Sequence, residues 1–466
     1  MKKRRWKEMT LDFKTSHNNV YFIGIGGISM SGLAQILQKK GCQVSGSDLK
    51  PSKTTKKLEE LGIPVHYGQK AQNITDDLQL VVYTAAVKED NPELVEARRR
   101  GILAIERSVL LGEIMKHYSQ SVAVSGTHGK TTTTSMLSQI FLAAHCDPTI
   151  TVGGVLPVIG GNIRVGDSSY FLAEACEYHN SFLEFHPLIG IILNVEAEHL
   201  DFFKNLNAVE EAFHRFAQNI PPEGVLIING EIPGFATVTK DLSCPVITYG
   251  RSDNDQWQPA NIRENQGRFC FTAMKDGVSQ GEVCLQVPGE HNILNALAAV
   301  AAASALHLPM EAILEGLNSY TGVHRRFERK GEYHGTLVVD DYAHHPTEIR
   351  ATLAAAKRVA KSEVWCVFQP HTYSRALTLF DDFVHAFADA DHVIVTDIYA
   401  AREKDTGLIH SREIAQKMAE LGKDAQYISS FDEIVSYLKS TLSPQDLFIT
   451  LGAGDVYLVG EKLLQD

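Results

Sequence analysis

The segment SVAVSGTHGKTTTTSM contains residues whose types and spacing suit the binding of phosphate groups. Gly126 and Gly129 permit a close loop of backbone N–H groups, and Lys130 could reach the terminal phosphates of a nucleotide. The hydroxyl of Thr131 could ligate Mg²⁺. A standard phosphate loop has four residues between its two glycines, whereas this segment has two. The segment predicts either a nucleotide site or a glycine-bounded turn before a threonine-rich helix.

Two later strand-like segments end in residues that could complete a phosphate site. The segment YFLAEACEYHNSF places Glu174 at the end of an apolar strand, and IILNVEAEHLDFF places His199 and Asp201 just after another. The carboxyl ends of parallel strands lie on one edge of a sheet, so Glu174 and His199 could approach a Mg²⁺ that bridges nucleotide oxygens. A histidine ligand is less usual for Mg²⁺ than an oxygen ligand. A single Glu or His at a strand end is usually exposed to solvent or locally hydrogen-bonded. Glu174 and His199 together with Lys130 predict a phosphoryl-transfer site.

Near the N-terminus, the segment GIGGISMSG follows a strand-like run and opens a helical pattern. Gly24 and Gly26 would let the backbone approach a diphosphate at a helix N-terminus. Ser29 replaces the third glycine of the dinucleotide fingerprint, and Asp48 ends the next strand, where an acidic residue would hold a ribose hydroxyl. The segment predicts a diphosphate site, with NAD as one of several possible ligands, or a tight turn without ligand.

Strands and helices alternate along the chain and could position these segments. In the first third, strand-like runs such as VYFIGI and LQLVVYTAA alternate with helical patterns such as SMSGLAQILQKKG. The alternation returns after SVAVSG and again after TLVVDDYAHHP. This pattern predicts βαβ units and parallel sheets covered on both faces. We expect three α/β domains, with boundaries near residues 117–120 and 320–330 and a ligand site shared between domains.

Composition restricts the class of protein. The 466 residues are 44% hydrophobic and 21% charged, which is typical of soluble globular proteins. A formal net charge of -12 disfavours a general role on nucleic acids or membrane surfaces. The basic N-terminal segment MKKRRWKEMTLDFK lacks the apolar core of a signal peptide, and no apolar run approaches the roughly 20 residues of a membrane span. We expect a solvated N-terminal extension and a cytoplasmic location.

The cysteines predict reduced thiols. Their number is odd and no CxxC pair occurs, so we expect mostly buried thiols of a cytosolic protein and neither a disulfide framework nor a zinc cluster. The seven residues are Cys42, Cys146, Cys176, Cys244, Cys270, Cys284 and Cys366.

Ordered motifs over nearly the whole chain resemble those of the Mur ligases of peptidoglycan synthesis. In chain order they are GIGGISMSGLA, SGSD, TAAVKEDNPEL, SGTHGKTTTTSM, EACEYHNSF, NVEAEHLDFF, GEHNILNALAA, HRRFERKG, DDYAHHPTEI, FQPHTYSR and YAAREKD. The phosphate loop of that family has the short form GTxGKT, which matches residues 126–131. The unusual spacing of the loop is therefore a feature of the family that the chain resembles.

The resemblance implies an α/β fold of three domains. After an N-terminal extension at residues 1–16, a Rossmann-like domain at 17–118 would bind a UDP-sugar, and a P-loop-type α/β domain at 119–322 would bind ATP. A C-terminal Rossmann-like α/β domain at 323–466 would close over the site. The implied partners are small molecules and not nucleic acid or membrane, and the implied assembly is a monomer or weak homodimer.

The resemblance also implies roles for individual residues. The implied catalytic residues are Lys130, Glu174, His199, Arg326, Asp341 and His344. Those at ATP are Gly126, Thr127, His128, Gly129, Lys130, Thr131, Thr132, Asn292, Asn295 and Arg326. Those at the UDP-sugar are Gly24, Gly26, Gly27, Ser29 and Asp48. The Mg²⁺ ligands would be Thr131, Glu174 and His199, and the contacts of the amino acid would be His344 and Arg375.

The implied reaction is an ATP- and Mg²⁺-dependent amide ligation. ATP would phosphorylate the lactyl carboxylate of UDP-N-acetylmuramate, because a carboxylate is a poor acyl donor. The amine of L-alanine would then attack the acyl phosphate through a tetrahedral intermediate, and phosphate would leave. Positioning and charge stabilisation, from Lys130, Arg326 and Mg²⁺, would supply most of the catalysis. His344 is a candidate for the base that accepts the amine proton.

Three positions depart from the pattern of the family. Ser29 stands where many relatives have glycine, although the backbone N–H groups that bind diphosphate remain. The segment EACEYHNSF replaces the commoner EADESDxSF and keeps Glu174 and Glu177. Thr372 stands where some relatives have a second arginine, so binding of the alanine carboxylate would depend more on Arg375.

Three other functions are compatible with parts of the sequence. A sister ligase would attach a recycled peptide to the same sugar nucleotide. An NAD-dependent oxidoreductase would use the GIGGIS segment and Asp48, but it leaves Lys130, Glu174 and His199 unexplained. A nucleotide-sensing regulator would bind ATP without releasing phosphate.

Overall fold

The computed structural model describes residues 18–197, 202–401 and 403–465. Over these residues the chain forms two compact units. The first unit contains the described residues up to Ser252 together with residues 301–313, and the second contains residues 253–300 and 314–465. No helix in these ranges is long and apolar enough to cross a membrane.

The first unit begins with a parallel sheet of five strands and its covering helices. The strands are β1 (Asn19–Ile23), β2 (Gln43–Asp48), β3 (Val65–Tyr67), β4 (Leu80–Tyr83) and β5 (Leu103–Glu106), and the helices are α1 (Ile28–Lys39), α2 (Lys53–Glu60), α3 (Pro92–Arg99) and α4 (Arg107–Met115). The strand order is β3-β2-β1-β4-β5, and every pair is parallel. This order is that of the first five strands of a Rossmann sheet, which confirms the predicted fold of this region.

The rest of the first unit is built around a second, mostly parallel set of strands. The strands are β6 (Gln120–Ser125), β7 (Thr149–Leu156), β8 (Gly161–Arg164), β9 (Tyr170–Glu174), β10 (Ile189–Ile192), β11 (Val225–Asn229) and β12 (Val246–Tyr249), and the helices are α5 (Lys130–Ala143), α6 (Leu206–Gln218) and α7 (Phe235–Val238). Their order is β12-β11-β10-β6-β9-β7-β8. Only the edge pair β7 and β8 is antiparallel among the described pairings of these strands.

The second unit contains an antiparallel group and a C-terminal sheet. Its strands are β13 (Trp257–Asn265), β14 (Arg268–Lys275), β15 (Val278–Cys284), β16 (Glu328–Tyr333), β17 (Thr336–Asp341), β18 (Val364–Phe368), β19 (His392–Val395), β20 (Asp424–Tyr427) and β21 (Leu447–Leu451). Its helices are α10 (Pro346–Val359), α11 (Tyr373–Thr378), α12 (Phe380–Val384), α13 (Ser411–Glu420), α14 (Phe431–Thr441) and α15 (Tyr457–Leu463). Helices α8 (His291–Ala305) and α9 (Met310–Asn318) contribute residues to both units. The C-terminal sheet has the order β16-β17-β21-β18-β19-β20 and is parallel except for β16.

Both faces of the parallel sheets are covered, as the apolar runs predict. In β1, Val20 and Phe22 belong to one core cluster, whereas Tyr21 belongs to the cluster on the opposite face. In β17, Val339 belongs to one core cluster and Val338 to the cluster on the opposite face. Successive side chains of a strand point to opposite faces, so a strand with helices on both sides must be apolar at every position.

Helix starts differ in a way that bears on ligand binding. Ser52 caps α2 by accepting a hydrogen bond of 3.1 Å from the backbone of Thr55, and Asn91 caps α3 just before Pro92. By contrast, Gly27 and Gly129 precede α1 and α5, and no described side chain caps these two helices. Their first N–H groups therefore remain available to an anion.

One prediction about the cysteines is wrong. Cys270 and Cys284 form a disulfide, while the other five are free thiols. These two cysteines lie directly opposite each other on the antiparallel strands β14 and β15, with their Cα atoms 4.0 Å apart. The register of the strand pair brings them together, and a separation of 14 residues in the sequence does not reveal it.

A buried carboxylate connects three elements of the first sheet. Glu93, at the start of α3, is fully buried. Its oxygens accept hydrogen bonds from the hydroxyl of Tyr21 at 2.8 Å, the hydroxyl of Ser47 at 2.6 Å and the amide of Asn73 at 2.6 Å. The desolvation cost of this carboxylate is offset by three donors from β1, β2 and the loop before β4.

We predict that Glu93→Ala lowers the free energy of unfolding by about 3 kcal/mol, because it leaves the buried hydroxyls of Tyr21 and Ser47 without their acceptor. Urea denaturation followed by circular dichroism measures this loss. The matched control is Glu96→Ala on the same helix, which removes surface pairs with Arg99 and Arg100 and should change stability far less. Equal losses in the two variants would contradict the prediction.

Candidate functional site

The segment at residues 126–131 forms a tight loop between β6 and α5. Gly126 and Gly129 have φ values of +141° and +82°, a region that favours glycine. A Cβ atom on Gly126 would lie 2.9 Å from the Cβ of Leu193. Both glycines are therefore required by the backbone, and the loop leads directly into the uncapped start of α5. This geometry fits the predicted binding of phosphates to backbone N–H groups.

Asn194 holds this loop in shape and was not found from the sequence. Its Oδ1 accepts from the backbone N–H of His128 at 2.7 Å, and its Nδ2 donates to the carbonyl oxygen of His128 at 3.1 Å. The backbone N–H of Thr127 donates to the carbonyl oxygen of Asn194 at 3.2 Å. The Thr127 hydroxyl in turn accepts from the N–H of Glu196 at 2.9 Å. Asn194 lies just after strand β10, and this position is the one sequence signal that could have identified it.

Lys130 is the first residue of α5, and its ammonium group is paired. Nζ donates to the carbonyl oxygen of Thr127 at 2.9 Å and to Oε2 of Glu177 at 3.0 Å. The Glu177 side chain is only 1% exposed and that of Lys130 13%. Burial lowers the pKa of Lys130, but the combined effects of Glu177, Cys176 and Glu174 outweigh burial, and the pKa is raised overall. Lys130 is thus a permanently charged group at the loop, as phosphate binding requires.

Thr131 and Glu174 lie side by side, as predicted for a metal site. The Thr131 hydroxyl donates to Glu174, with both carboxylate oxygens at 3.0 Å. Glu174 Oε2 also accepts from the backbone N–H of Gly153 at 2.7 Å. Hydroxyl and carboxylate oxygens are the ligands that Mg²⁺ prefers. The third predicted ligand, His199, lies outside the described residues, and the neighbouring Asp201 does too.

Cys176 and Thr132 lie close to these groups in the chain. Cys176 belongs to the segment EACEYHNSF, which differs from the commoner family motif. Burial raises the pKa of its thiol, so the thiol is neutral. Thr132 is partly buried in the first turn of α5. Glu177, which pairs with Lys130, immediately follows Cys176.

The glycine segment after β1 forms a turn that Asp48 stabilises. Gly24, with a φ of +79°, and Ile25 both donate their N–H groups to the carbonyl oxygen of Ser47 at 2.8 Å. Asp48 Oδ2 accepts from the N–H of Gly26 at 2.9 Å, and Oδ1 accepts from the N–H of Leu49 at 2.7 Å. Both carboxylate oxygens of Asp48, predicted at a ribose, are thus engaged with the backbone. Gly27 and Ser29 are exposed around the uncapped start of α1.

The remaining predicted residues belong to the second unit. Asn292 and Asn295 are buried near the start of α8. The amide of Asn295 donates to Asn292 Oδ1 at 3.0 Å, and the amide of Asn292 donates to the carbonyl oxygen of Pro288 at 2.7 Å. One turn of helix therefore fixes the two side chains against each other.

Asp341, at the end of β17, joins the linker to the C-terminal sheet. Its oxygens accept from the backbone N–H groups of Phe327 at 2.6 Å and Ala343 at 2.7 Å. Burial raises its pKa from 3.8 to about 6, against the lowering effect of Arg326 and the two N–H groups. The guanidinium of Arg326 lies 3.7 Å from Glu348 and 5.3 Å from the ring centre of Tyr342. The structure thus brings Arg326 and Asp341 together.

His344 and Arg375, predicted at the amino acid, are linked through His371. The rings of His344 and His371 are 5.6 Å apart, and Arg375 Nη1 lies 3.3 Å from His371 Nδ1. The backbone N–H of His344 donates to Glu348 at 3.1 Å. Thr372 caps α11 by accepting from the N–H of Arg375 at 3.4 Å. Sequence reasoning did not identify His371 or Glu348 as parts of this group.

We predict that Asn194→Ala weakens ATP binding about tenfold, because the loop loses both side-chain hydrogen bonds that hold His128. Isothermal titration calorimetry with ATP measures the change. Asn205→Ala is the matched control, since Asn205 only caps α6 in the same unit. Unchanged ATP affinity in Asn194→Ala would show that the loop keeps its shape without this side chain.

The pKa of Asp341 predicts a pH dependence of stability. A carboxyl whose folded pKa of about 6 exceeds its unfolded pKa of 3.8 stabilises the fold below pH 4, and this contribution is lost as the pH rises through 6. Between pH 4 and pH 7, the wild type should lose about 2 kcal/mol of unfolding free energy relative to Asp341→Asn. Denaturant titrations of both proteins at the two pH values test this. A difference that does not vary with pH would mean that Asp341 is ionised throughout.

Comparison with known proteins adds to this geometry. Residues 19–119 match the model of the Mur ligase family catalytic domain, residues 124–303 match the Mur ligase middle domain, and residues 325–454 match the glutamate ligase domain of Mur ligases. Over 450 residues, the chain is 54% identical to the UDP-N-acetylmuramate–L-alanine ligase of Acetivibrio thermocellus, covering 96% of both chains.

Two solved structures resemble the described fold over nearly their full length. The UDP-N-acetylmuramate-alanine ligase of Thermotoga maritima superposes with a TM-score of 0.80 at 30% identity, over 96% of this chain and 98% of that one. The murein peptide ligase of Psychrobacter arcticus gives a TM-score of 0.69 at 25% identity, over 96% of this chain and 98% of that one.

Proposed function

The chain belongs to the Mur ligase family, and we propose that it joins L-alanine to the lactyl carboxylate of UDP-N-acetylmuramate with consumption of ATP. The products are UDP-N-acetylmuramoyl-L-alanine, ADP and phosphate. The observation that carries this proposal is the 54% identity to a ligase of that name over 96% of both chains. The loop at residues 126–131, with Lys130 and the Thr131–Glu174 pair, supports ATP as the phosphoryl donor.

In the first step, the residues around α5 bind and orient the phosphates. Lys130 places a fixed positive charge beside the loop, and the uncapped N–H groups of α5 add to it. Thr131 and Glu174 offer a hydroxyl and a carboxylate 3.0 Å apart, which fits Mg²⁺. The ion, when bound there, would neutralise charge on the transferred phosphoryl group. We assign His199 to the same ion from the motif alone.

In the second step, the residues of the second unit bind and orient the amino acid. Arg375 is the guanidinium that would hold the carboxylate of L-alanine. His344, linked to Arg375 through His371, remains the candidate base for the amine proton. Arg326 would stabilise phosphoryl charge, and the buried pair Asn292 and Asn295 would contact adenine.

The proposed domains follow the order of the matched family models. We propose an extension at residues 1–16, a sugar-nucleotide domain at 17–118, an ATP domain at 119–322 and a C-terminal domain at 323–466. The matched ranges 19–119, 124–303 and 325–454 support these bounds.

We further propose a cytoplasmic enzyme, monomeric or weakly dimeric, that acts on small molecules. The Cys270–Cys284 disulfide is unusual for that compartment.

The test is phosphate release with ATP, UDP-N-acetylmuramate and each amino acid in turn. We predict release with L-alanine and none without it. The absence of release with L-alanine would overturn the proposal. A recycled peptide that replaces L-alanine as the better substrate would identify the protein as a ligase of the murein peptide type.

Lys130→Ala should lower the turnover of this reaction at least about 1,000-fold, because the transition state loses its fixed positive charge. Binding of UDP-N-acetylmuramate, measured by calorimetry, should stay nearly unchanged. Lys116→Ala is the control, since Lys116 pairs only with Glu113 on the surface. Loss of sugar-nucleotide binding together with turnover would mean that Lys130 is needed for folding.

A further inference from the structure

A cavity of about 130 Å³ in the first unit connects the glycine turn with the phosphate site. Its lining comes from the start of α1, from α4, from strands β7 to β9 and from the segment after β9. Six of the polar or charged side chains that line it are Ser29, Arg107, Asn162, Glu174, Cys176 and Ser181. Glu174 belongs to the phosphate site, and Ser29 lies in the first turn of α1, directly after the glycine turn. Nothing in the sequence motifs assigned Arg107 to this space.

Arg107 is an unusual residue of this cavity because its charge is not paired. It is the first residue of α4 and is partly buried. Within the described parts of the chain its guanidinium makes no hydrogen bond and no ion pair. Burial lowers its pKa, but an arginine stays protonated in proteins. The other buried cation of the unit, Lys130, has Glu177 as its counter-charge.

A partly buried guanidinium that makes no hydrogen bond or ion pair is stabilised when an anion joins it. Its planar donors match a carboxylate or phosphate in two parallel hydrogen bonds. Arg107 therefore indicates that the cavity receives an anionic group of a ligand. The sugar nucleotide of the proposed reaction has two such groups, its diphosphate and its lactyl carboxylate.

The position of Arg107 favours the carboxylate. Arg107 and Cys176 line the same cavity, and they lie close enough to interact electrostatically. Cys176 interacts in the same way with Lys130, so Arg107 lies toward the phosphoryl-transfer end of the cavity. Of the residues predicted at the UDP-sugar, Ser29 at the start of α1 lines this cavity, and the turn at residues 24–27 precedes it.

We propose that Arg107 binds the lactyl carboxylate of UDP-N-acetylmuramate and presents it to the phosphate site at Thr131 and Glu174. This inference rests on the proposed function. In the first step, one carboxylate oxygen forms a bond to the γ-phosphorus, and the bridging oxygen of ADP leaves with the electron pair. The other carboxylate oxygen stays on the guanidinium as the acyl phosphate forms.

The test compares three ligands by calorimetry: UDP, UDP-N-acetylglucosamine, which lacks the lactyl carboxylate, and UDP-N-acetylmuramate. In Arg107→Met, the Kd for UDP-N-acetylmuramate should rise about 10- to 100-fold, as expected for loss of a charged hydrogen-bonded pair. The Kd values for the other two ligands should change less than about threefold. Arg107→Lys should recover part of the affinity, because it keeps the charge but not the planar donors.

A second readout separates binding from a structural role. Arg107→Met should melt at the same temperature as the ligand-free wild type or higher, because it removes an uncompensated charge. Arg99→Met is the control for charge alone, since Arg99 is 67% exposed in the same domain. Equal weakening of all three ligands would assign Arg107 to the diphosphate. Unchanged affinities, or a lower melting temperature with general loss of binding, would also overturn the proposal.

Failure of this inference is distinguishable from failure of the proposed function. Phosphate release by the wild type with UDP-N-acetylmuramate, ATP and L-alanine is measured first. No release overturns the function. Normal release, with a KM for UDP-N-acetylmuramate that is the same in Arg107→Met as in the wild type, overturns only the role of Arg107.

Discussion

Parallel pairing of β6 with β9 on one side and β10 on the other is the constraint on which the candidate site depends. Because the three strands run in one direction, their carboxyl ends meet at one edge of the sheet. That edge receives the phosphate loop from β6, Glu174 from β9 and Asn194 from β10. The hydrogen bonds of Asn194 then shape the loop, and the hydroxyl of Thr131 meets Glu174.

The charges at this edge are balanced in different ways. Lys130 is held by the buried carboxylate of Glu177, which keeps it ionised and fixed in place. Glu174 accepts hydrogen bonds from the hydroxyl of Thr131 and the backbone N–H of Gly153, and none of the described ion pairs involves it. Arg107 feels the charge of the neighbouring Glu106, but it forms no ion pair or hydrogen bond with any described residue. The protein thus supplies the partners of the groups that act on ATP and leaves one cation to the substrate.

Much of the site was predictable because its chemistry depends on local spacing. The loop residues Gly126, Gly129, Lys130 and Thr131 are neighbours in the chain. A loop between a strand and a helix therefore places them together, and this does not depend on the rest of the fold. Glu174 was predictable as a strand end. Asn194 was missed because 66 residues separate it from His128. The two meet only because β10 lies beside β6 in the sheet. Glu177 was noted but without a role, since nothing local indicates its ion pair with Lys130.

The sequence by itself determined the alternation of strands and helices, the short phosphate loop and the types of residue available for catalysis, because these follow from local periodicity and from backbone geometry at glycine. Only the tertiary structure decided the order of the strands and the register that joins Cys270 to Cys284. It also decided the hydrogen bonds of Asn194 to the phosphate loop and the absence of an ion pair at Arg107 among the described residues. These features are contacts between residues distant in the chain, and their formation depends on how whole elements pack. Whether a buried charge has a partner is a property of its surroundings in space, which a residue's own sequence context does not contain.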